Sequence, residues 1–321
     1  MSDIMRIATG QFSEPTEEIL SFAAQMGVSG VVLNTPRIPG SERWEVADLI
    51  RLRNRVESFG LCIESIENVP VQFYDRSMLG IEGSEQQIQN YQDTIRHMGE
   101  AEIPILGYHW MPNGVWRTSR ATPTRGGALA TAFDMDEATD HPSTHAGIFD
   151  AARLWGTYER FMHAVLPVAE SHGVRLALHP DDPPVSALGG VARIMRSVDG
   201  FKKAMNIADS PNNGLDFCMG CWSEMGEDVI AALRHFLSED QIFYVHFRDV
   251  QGSVPVFNEC FLGEGNVDIV AAMRTLYTGG FSGFLIDDHV PHMIDDTPWG
   301  HRGRAFATGQ MMGLLAAIQG S

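Results

Sequence analysis

Eight short apolar runs recur along the chain, each followed by a stretch of helical period. They are MRIATG (5–10), GVVLNT (30–35), LCIESIE (61–67) and IPILGYHW (103–110), then VRLALHP (174–180), NGLDFCMG (213–220), IFYVHFRDV (242–250) and GFLIDDH (283–289). Their length and β-branched content read as strands. Between them lie amphipathic candidates such as EEILSFAAQM, VADLIRLRNRVESFG, YERFMHAVLPVAESHG and VDIVAAMRTLYTGG. Glycines 60, 173 and 280 fall where a helix should stop before the next strand. Strand and helix alternating eight times predict a parallel sheet, and eight units suit closure into a single (β/α)8 TIM barrel. A doubly wound open sheet is the alternative, but no GxGxxG follows the first run. Without an interior linker, low-complexity tract or charge block, residues 1–321 are expected to form one domain.

Residues 111–150 break this rhythm, with Gly, Pro, Thr and Asp throughout and weak periodicity. They predict a long loop insertion after strand four. A barrel gathers its catalytic groups on that same face, so the insertion is expected to form a lid or wall.

Four of the later runs carry a potential metal donor at the strand end: His179, Cys218, His246 and Asp288. In a parallel barrel the C-terminal strand ends converge, so one donor from each of four successive strands would meet around a single point. A lone strand histidine is more often a satisfied core residue, and a lone cysteine is usually a small hydrophobe. Four such residues at consecutive strand ends point instead to a mononuclear metal enzyme. The mixed nitrogen, sulfur and oxygen set suits Mn²⁺, Fe²⁺, Co²⁺ or Zn²⁺ better than Mg²⁺ or Ca²⁺. Cys218 and Cys221 form a single CxxC with no second pair, which argues against a structural zinc ribbon. In HPDDPP (179–184) the prolines fix the loop after His179, and Asp181 and Asp182 either position a ligand or cap the following turn. Glu64 and Glu67 in strand three are read as facing one side, as substrate contacts or as polar residues of a barrel layer.

The formal charge of −18, from 41 acidic and 23 basic side chains, changes the picture of partners. Such a surface repels nucleic acid and anionic membrane, and an anionic substrate would need local Arg, Lys or metal charge. The opening MSDIMRIATGQF lacks the basic start and apolar stretch of a signal peptide. No apolar run approaches a bilayer span, and four scattered cysteines do not make a disulfide scaffold. A cytoplasmic enzyme is the expectation.

Longer strings then carry a resemblance. GVVLNTP…ERW, SIENVPVQ, NYQDTIRHMGEAEIPILGYHWMPNGVWRT, LALHPDDPP, GLDFCMG, FYVHFRDV, IDDH and GHRGRAFATGQMMGLL resemble mannonate dehydratase in order along nearly the whole chain. That resemblance implies a xylose-isomerase-like barrel using a divalent ion, typically Mn²⁺, and often a homodimer. It implies removal of water from D-mannonate, a sugar acid, to give 2-keto-3-deoxy-gluconate. It places metal ligands on His179, Cys218, His246 and Asp288, makes His289 an active-site residue, and makes Arg117, beside Trp116 in the WRT stretch, a substrate contact.

Three departures accompany it. The family's Arg-x-Asp-His-Gly is replaced by IDDHVP, its Pro-Gly-Tyr context by TPWGHRGRA, and its strand-four Asn by His109. His301 therefore stands near the expected position of the family's acid–base Tyr. The expected roles are Asp288 as ligand and proton carrier, His289 or His301 as acid–base partner, and Arg117, His109, Trp116 and Glu67 as substrate contacts. Competing readings are a sugar isomerase or epimerase, a dehydratase of another sugar acid, and a non-catalytic sugar-acid-binding protein.

Overall fold

In the computed structural model, which describes residues 4–320, the eight apolar runs become the eight staves of a parallel barrel. The first stave is two consecutive segments, β1 (Arg6–Ile7) and β2 (Thr9–Phe12). The next three are β3 (Gly30–Asn34), β4 (Cys62–Glu67) and β5 (Ile105–Tyr108). Four more strands lie outside the barrel: β6 (Ser119–Pro123), β7 (Leu129–Asp134), β9 (Ala187–Leu188) and β10 (Val191–Ala192); β8 (Arg175–Leu178) is the fifth stave. The barrel continues with β11 (Asn213–Cys218) and β12 (Ile242–His246). After β13 (Val250–Ser253) and β14 (Val256–Glu259), it ends at β15 (Phe284–Ile286). The ring closes because β1 pairs with β15 while β2 pairs with β3.

The staves read as apolar runs because both of their faces are covered. Inward, Ala8, Val32, Ile105, Ala177, Phe243, Tyr244, Phe284 and Ile286 fill the barrel, with Tyr244 stacked on Phe284 at a centroid distance of 5.0 Å. Outward, residues such as Val31, Leu106, Leu176 and Leu285 meet the helix shell. Each such side chain, fully buried, contributes about 1.5–3 kcal/mol. The predicted helices form over Glu17–Met26, Val46–Glu57, Ala151–His172 and Ile269–Thr278. Asp150 caps the third by accepting from Arg153 N. Gly173 ends it at φ 67, a left-handed value that favours glycine.

The 111–150 insertion is more ordered than its composition suggests. Its strands β6 and β7 form a hairpin, and β7 pairs with β14, which enters from the segment after stave seven. With β13 they make a four-stranded antiparallel sheet over the donor-bearing end of the barrel. Phe133, Val185, Leu188, Val250 and Phe257 form a small core beneath it. The sheet is a wall, built from two loops that neither could form alone. Among the described residues no helix is long and apolar enough to cross a membrane.

Candidate active site

Stave ends bring His179, Cys218 and His246 together, with donor atoms within 4.8 Å of one another and all three side chains buried. Asp288 joins them: its Oδ2 lies 3.4 Å from His246 Nδ1 and 3.9 Å from Cys218 Sγ. Asp288 sits just past β15 at φ 45, an uncommon value for a residue with a Cβ. Arg304 in the last helix holds it there, donating to the Asp288 carbonyl at 2.9 Å and to Asp287 Oδ2 at 3.0 Å.

The ring nitrogens are sorted by their partners. His179 Nδ1 lies 2.7 Å from the Pro180 carbonyl, which can only accept, so Nδ1 carries the proton and Nε2 is left as a donor atom for a metal. His246 Nε2 lies 3.0 Å from Glu67 Oε2 and 3.2 Å from Asp216 Oδ2, which assigns the proton to Nε2. Its Nδ1 is buried, has no hydrogen-bond partner, and faces the other three donors. A buried, unsatisfied nitrogen beside a carboxylate, a thiol and a second imidazole is the arrangement a divalent cation would complete.

The electrostatics favour the deprotonated forms of Cys218 and Asp288. Burial alone would raise the Cys218 thiol, but hydrogen bonding with Cys221, the Arg248 guanidinium and both histidines bring it well below the ordinary thiol range. Burial likewise opposes the Asp288 charge, yet His289, His246 and Arg248 hold it well below the usual carboxylate range. Against the penalty of burial, Asp216 and Cys218 push His179 up to about 10.

Behind the donors lies a buried ionic lattice that extends the site. Arg248 Nε is 2.9 Å from Asp288 Oδ2 and 3.2 Å from Cys218 Sγ, so one guanidinium touches two of the four candidate ligands. Its other nitrogens reach Glu259 Oε1 at 3.0 Å, Glu224 Oε1 at 3.0 Å and Asp182 Oδ2 at 3.2 Å. The glycine of the CMGC run makes room for it: a Cβ on Gly220 would sit 2.7 Å from Arg248. Arg117 faces the same acids, paired with both Asp182 oxygens and donating to Glu259 Oε1 at 2.9 Å. Two guanidiniums thus meet four carboxylates, Asp182, Glu224, Glu259 and Asp288. The imbalance is relieved by His289, whose Nδ1 is 2.6 Å from Glu259 Oε1, and by Glu224, which burial pushes up to about 8.

His289 is the group that leads outward. Its side chain is 37% exposed while Asp288 beside it is 4% exposed, and its Nε2 lies 3.8 Å from Asp288 Oδ1. Burial opposes its charge, but Asp288 and Glu259 raise its pKa overall. With Glu259, Thr131 and Trp299 it lines a cavity of about 310 Å³ under the antiparallel sheet. None of the four donors lines that cavity; His289, 3.8 Å from Asp288, and Arg304, which donates to the Asp288 carbonyl, are the lining residues that reach the donor cluster.

Several sequence expectations land elsewhere. Arg117 is not open to substrate, because Asp182 and Glu259 occupy its guanidinium and its side chain is 5% exposed. Trp116 packs edge-on against His141 at 4.6 Å and joins the small core beneath the sheet. Glu67 is buried and binds His246, with Gln11 Nε2 donating to its other oxygen, so it positions a donor rather than facing a ligand. Glu64 does not share its surroundings: it lies toward the opposite end of the strand and pairs with Arg6 at 2.8 Å. Simple alternation would put residues three apart on opposite faces, and a register shift that leaves Glu64 unpaired between Ile63 and Ser65 breaks that alternation. His301 opens the last helix between Phe22 and Trp299, at centroid distances of 4.7 and 4.9 Å, beside Thr297. It is not brought to the donors. His109 lies nearer: its Nδ1 accepts from Met111 N at 3.2 Å, its Nε2 is 3.4 Å from Tyr74 Oη, and burial lowers its pKa to about 3. Arg248 and Glu259 were not singled out from the sequence. Arg248 was findable, since it follows His246 by two residues in extended chain and so faces the same way.

Comparison with known proteins decides the family. The D-mannonate dehydratase (UxuA) family profile matches residues 5–148 and 144–321. The chain belongs to that family. A mannonate dehydratase of Streptococcus suis (strain 05ZYH33) is 30% identical, with 91% of this chain and 87% of the relative covered. Mannonate dehydratase 2 of Halalkalibacterium halodurans (strain ATCC BAA-125 / DSM 18197 / FERM 7344 / JCM 9153 / C-125) is 28% identical over 94% of this chain and 93% of its own. The crystal structure of mannonate dehydratase from Streptococcus suis serotype 2 superposes with a TM-score of 0.88 at 27% identity, covering 98% of this chain and 93% of that one. An L-ribulose 3-epimerase structure shares the fold alone, with a TM-score of 0.63 at 16% identity over 98% of this chain and 96% of that one.

Proposed function

We propose that this chain is a metal-dependent dehydratase that converts D-mannonate to 2-keto-3-deoxy-D-gluconate with loss of water. The observation that carries this reading is the meeting of His179, Cys218, His246 and Asp288 at one buried point beside a cavity, in a member of the D-mannonate dehydratase family. These four residues would hold the divalent ion, with Mn²⁺ the first candidate for a mixed donor set. When bound, the ion supplies Lewis-acid stabilisation of the negative charge that develops as the proton next to the carboxylate is removed.

The chain's own residues divide the remaining work. Asp288 is held well below the carboxylate range, which suits ligation and disfavours it as a proton acceptor. His289 is the histidine that both lines the cavity and lies against Asp288, and Glu259 fixes its ring through Nδ1. In its neutral form it takes the C2 proton; the resulting imidazolium returns a proton to the departing C3 hydroxyl, which leaves as water. The enol left behind tautomerises to the 2-keto-3-deoxy acid. Substrate proton and leaving hydroxyl are thereby balanced on one histidine.

One observation favours a second reading, a different sugar acid as substrate. Trp299 lines the cavity and its indole N–H donates to the Gln11 carbonyl at 2.8 Å, so it offers the substrate no hydroxyl such as a tyrosine would. The test compares D-mannonate with other six-carbon and five-carbon aldonates in Mn²⁺-loaded protein, following 2-keto-3-deoxy acid formed. D-Mannonate should give the highest kcat/KM. A tenfold or greater preference for another aldonate would replace it as the substrate.

A further inference from the structure

The carboxylate of a sugar acid must be received by a chain whose formal charge is −18. Four guanidiniums surround the site, and three are already engaged. Arg117 and Arg248 are locked to Asp182, Glu224 and Glu259. Arg304 is tied to Asp287 and to the Asp288 and Trp299 carbonyls. Arg120 is different. It is exposed, it lines the same cavity as His289 and Glu259, and it forms no ion pair with any carboxylate among the described residues.

The backbone explains how it arrives there. In the β6–β7 hairpin Ser119 pairs with Ala132 and Thr122 with Ala130. Arg120 and Ala121 therefore stand opposite the single residue Thr131, a bulge, and bulges re-aim a side chain out of the regular ladder. Thr131 lines the cavity with Arg120, while its hydroxyl accepts from Arg117 Nε at 3.2 Å.

We propose that Arg120 is the specificity residue of this site, reading the substrate's carboxylate from the sheet that walls the cavity. The proposal rests on the sugar-acid reading above and deepens it. A planar guanidinium can take both carboxylate oxygens, which a neutral sugar or alditol cannot offer. Selectivity for acids over neutral sugars then belongs to the antiparallel sheet, and the barrel supplies the chemistry.

The experiment uses Mn²⁺-loaded wild type, Arg120→Gln and Arg120→Lys. With D-mannonate, Arg120→Gln should raise KM by about 10- to 100-fold, as expected for loss of a charged hydrogen-bond pair, with kcat within about threefold. Arg120→Lys should recover part of the loss, and metal content should be unchanged in both. An unchanged KM in Arg120→Gln would overturn the proposal. Should wild type not turn over D-mannonate, binding of D-gluconate against the neutral D-glucitol decides instead. A preference for the acid that Arg120→Gln abolishes would support Arg120 while refuting D-mannonate as substrate. Equal binding of acid and alditol by wild type would overturn the assignment of Arg120.

Discussion

His246 presents its Nε2 to Glu67 Oε2 at 3.0 Å, and both side chains are buried. The contact leaves Nδ1 for the other three donors and fixes the ring's orientation. Glu67→Ala should therefore lower metal affinity by roughly 10- to 100-fold, in line with other loss of ligand-orienting partners. Competition with a chelator of known affinity measures this directly. Affinity equal to wild type would show that the contact does not orient the ligand.

Arg248 is expected to carry stability as well as position. Arg248→Met would leave Asp182, Glu224 and Glu259 with Arg117 alone and Asp288 without a guanidinium, and removal of one partner from a buried ionic group costs about 3–5 kcal/mol. Chemical denaturation of the variant should show a loss of that size. A change under 1 kcal/mol would mean that the lattice relaxes around the substitution.

Acid sensitivity has an identifiable contributor. His109 is half-buried and its pKa is lowered to about 3 from 6.5, chiefly by burial. The fold keeps it neutral, whereas the unfolded chain binds a proton below about pH 6.5. Its contribution is thus complete above that pH and is lost as pH falls toward about 3, with a slope up to about 1.4 kcal/mol per unit. His109→Gln should shed up to one proton from the pH dependence of unfolding between pH 4 and 6. An identical acid limb in variant and wild type would contradict the lowered pKa.

His289 separates chemistry from ligation. His289→Gln should retain the metal, since the residue is not among the four donors, while the rate falls by about 10²- to 10⁴-fold, typical for loss of a general acid–base group. Exchange of the C2 proton with solvent should disappear with it. A His289→Gln enzyme at near wild-type rate would transfer the proton role to another group or to water.

The barrel and the meeting of His179, Cys218, His246 and Asp288 were legible in sequence for one reason each. Staves covered on both faces must be apolar throughout, which makes each run stand out, and parallel staves end on one face, which makes His179, Cys218, His246 and Asp288 neighbours. Arg117 was not legible, because its partners Asp182 and Glu259 are 65 and 142 residues away and come from other loops. The hairpin β6–β7 was missed because β6 is largely exposed and gives no clear alternation. His301 depended on the path of residues 289–300, where no regular element fixes the register.

The central claim, that these four donors hold one catalytic ion, is tested most directly by titrating Mn²⁺ into chelator-treated protein while following 2-keto-3-deoxy acid from D-mannonate. The rate should rise from near zero and plateau at one ion bound per chain, and a His179→Ala, Cys218→Ala double variant should neither bind the ion nor turn over. Full activity in the metal-free protein, or one ion retained by the double variant, would contradict the account.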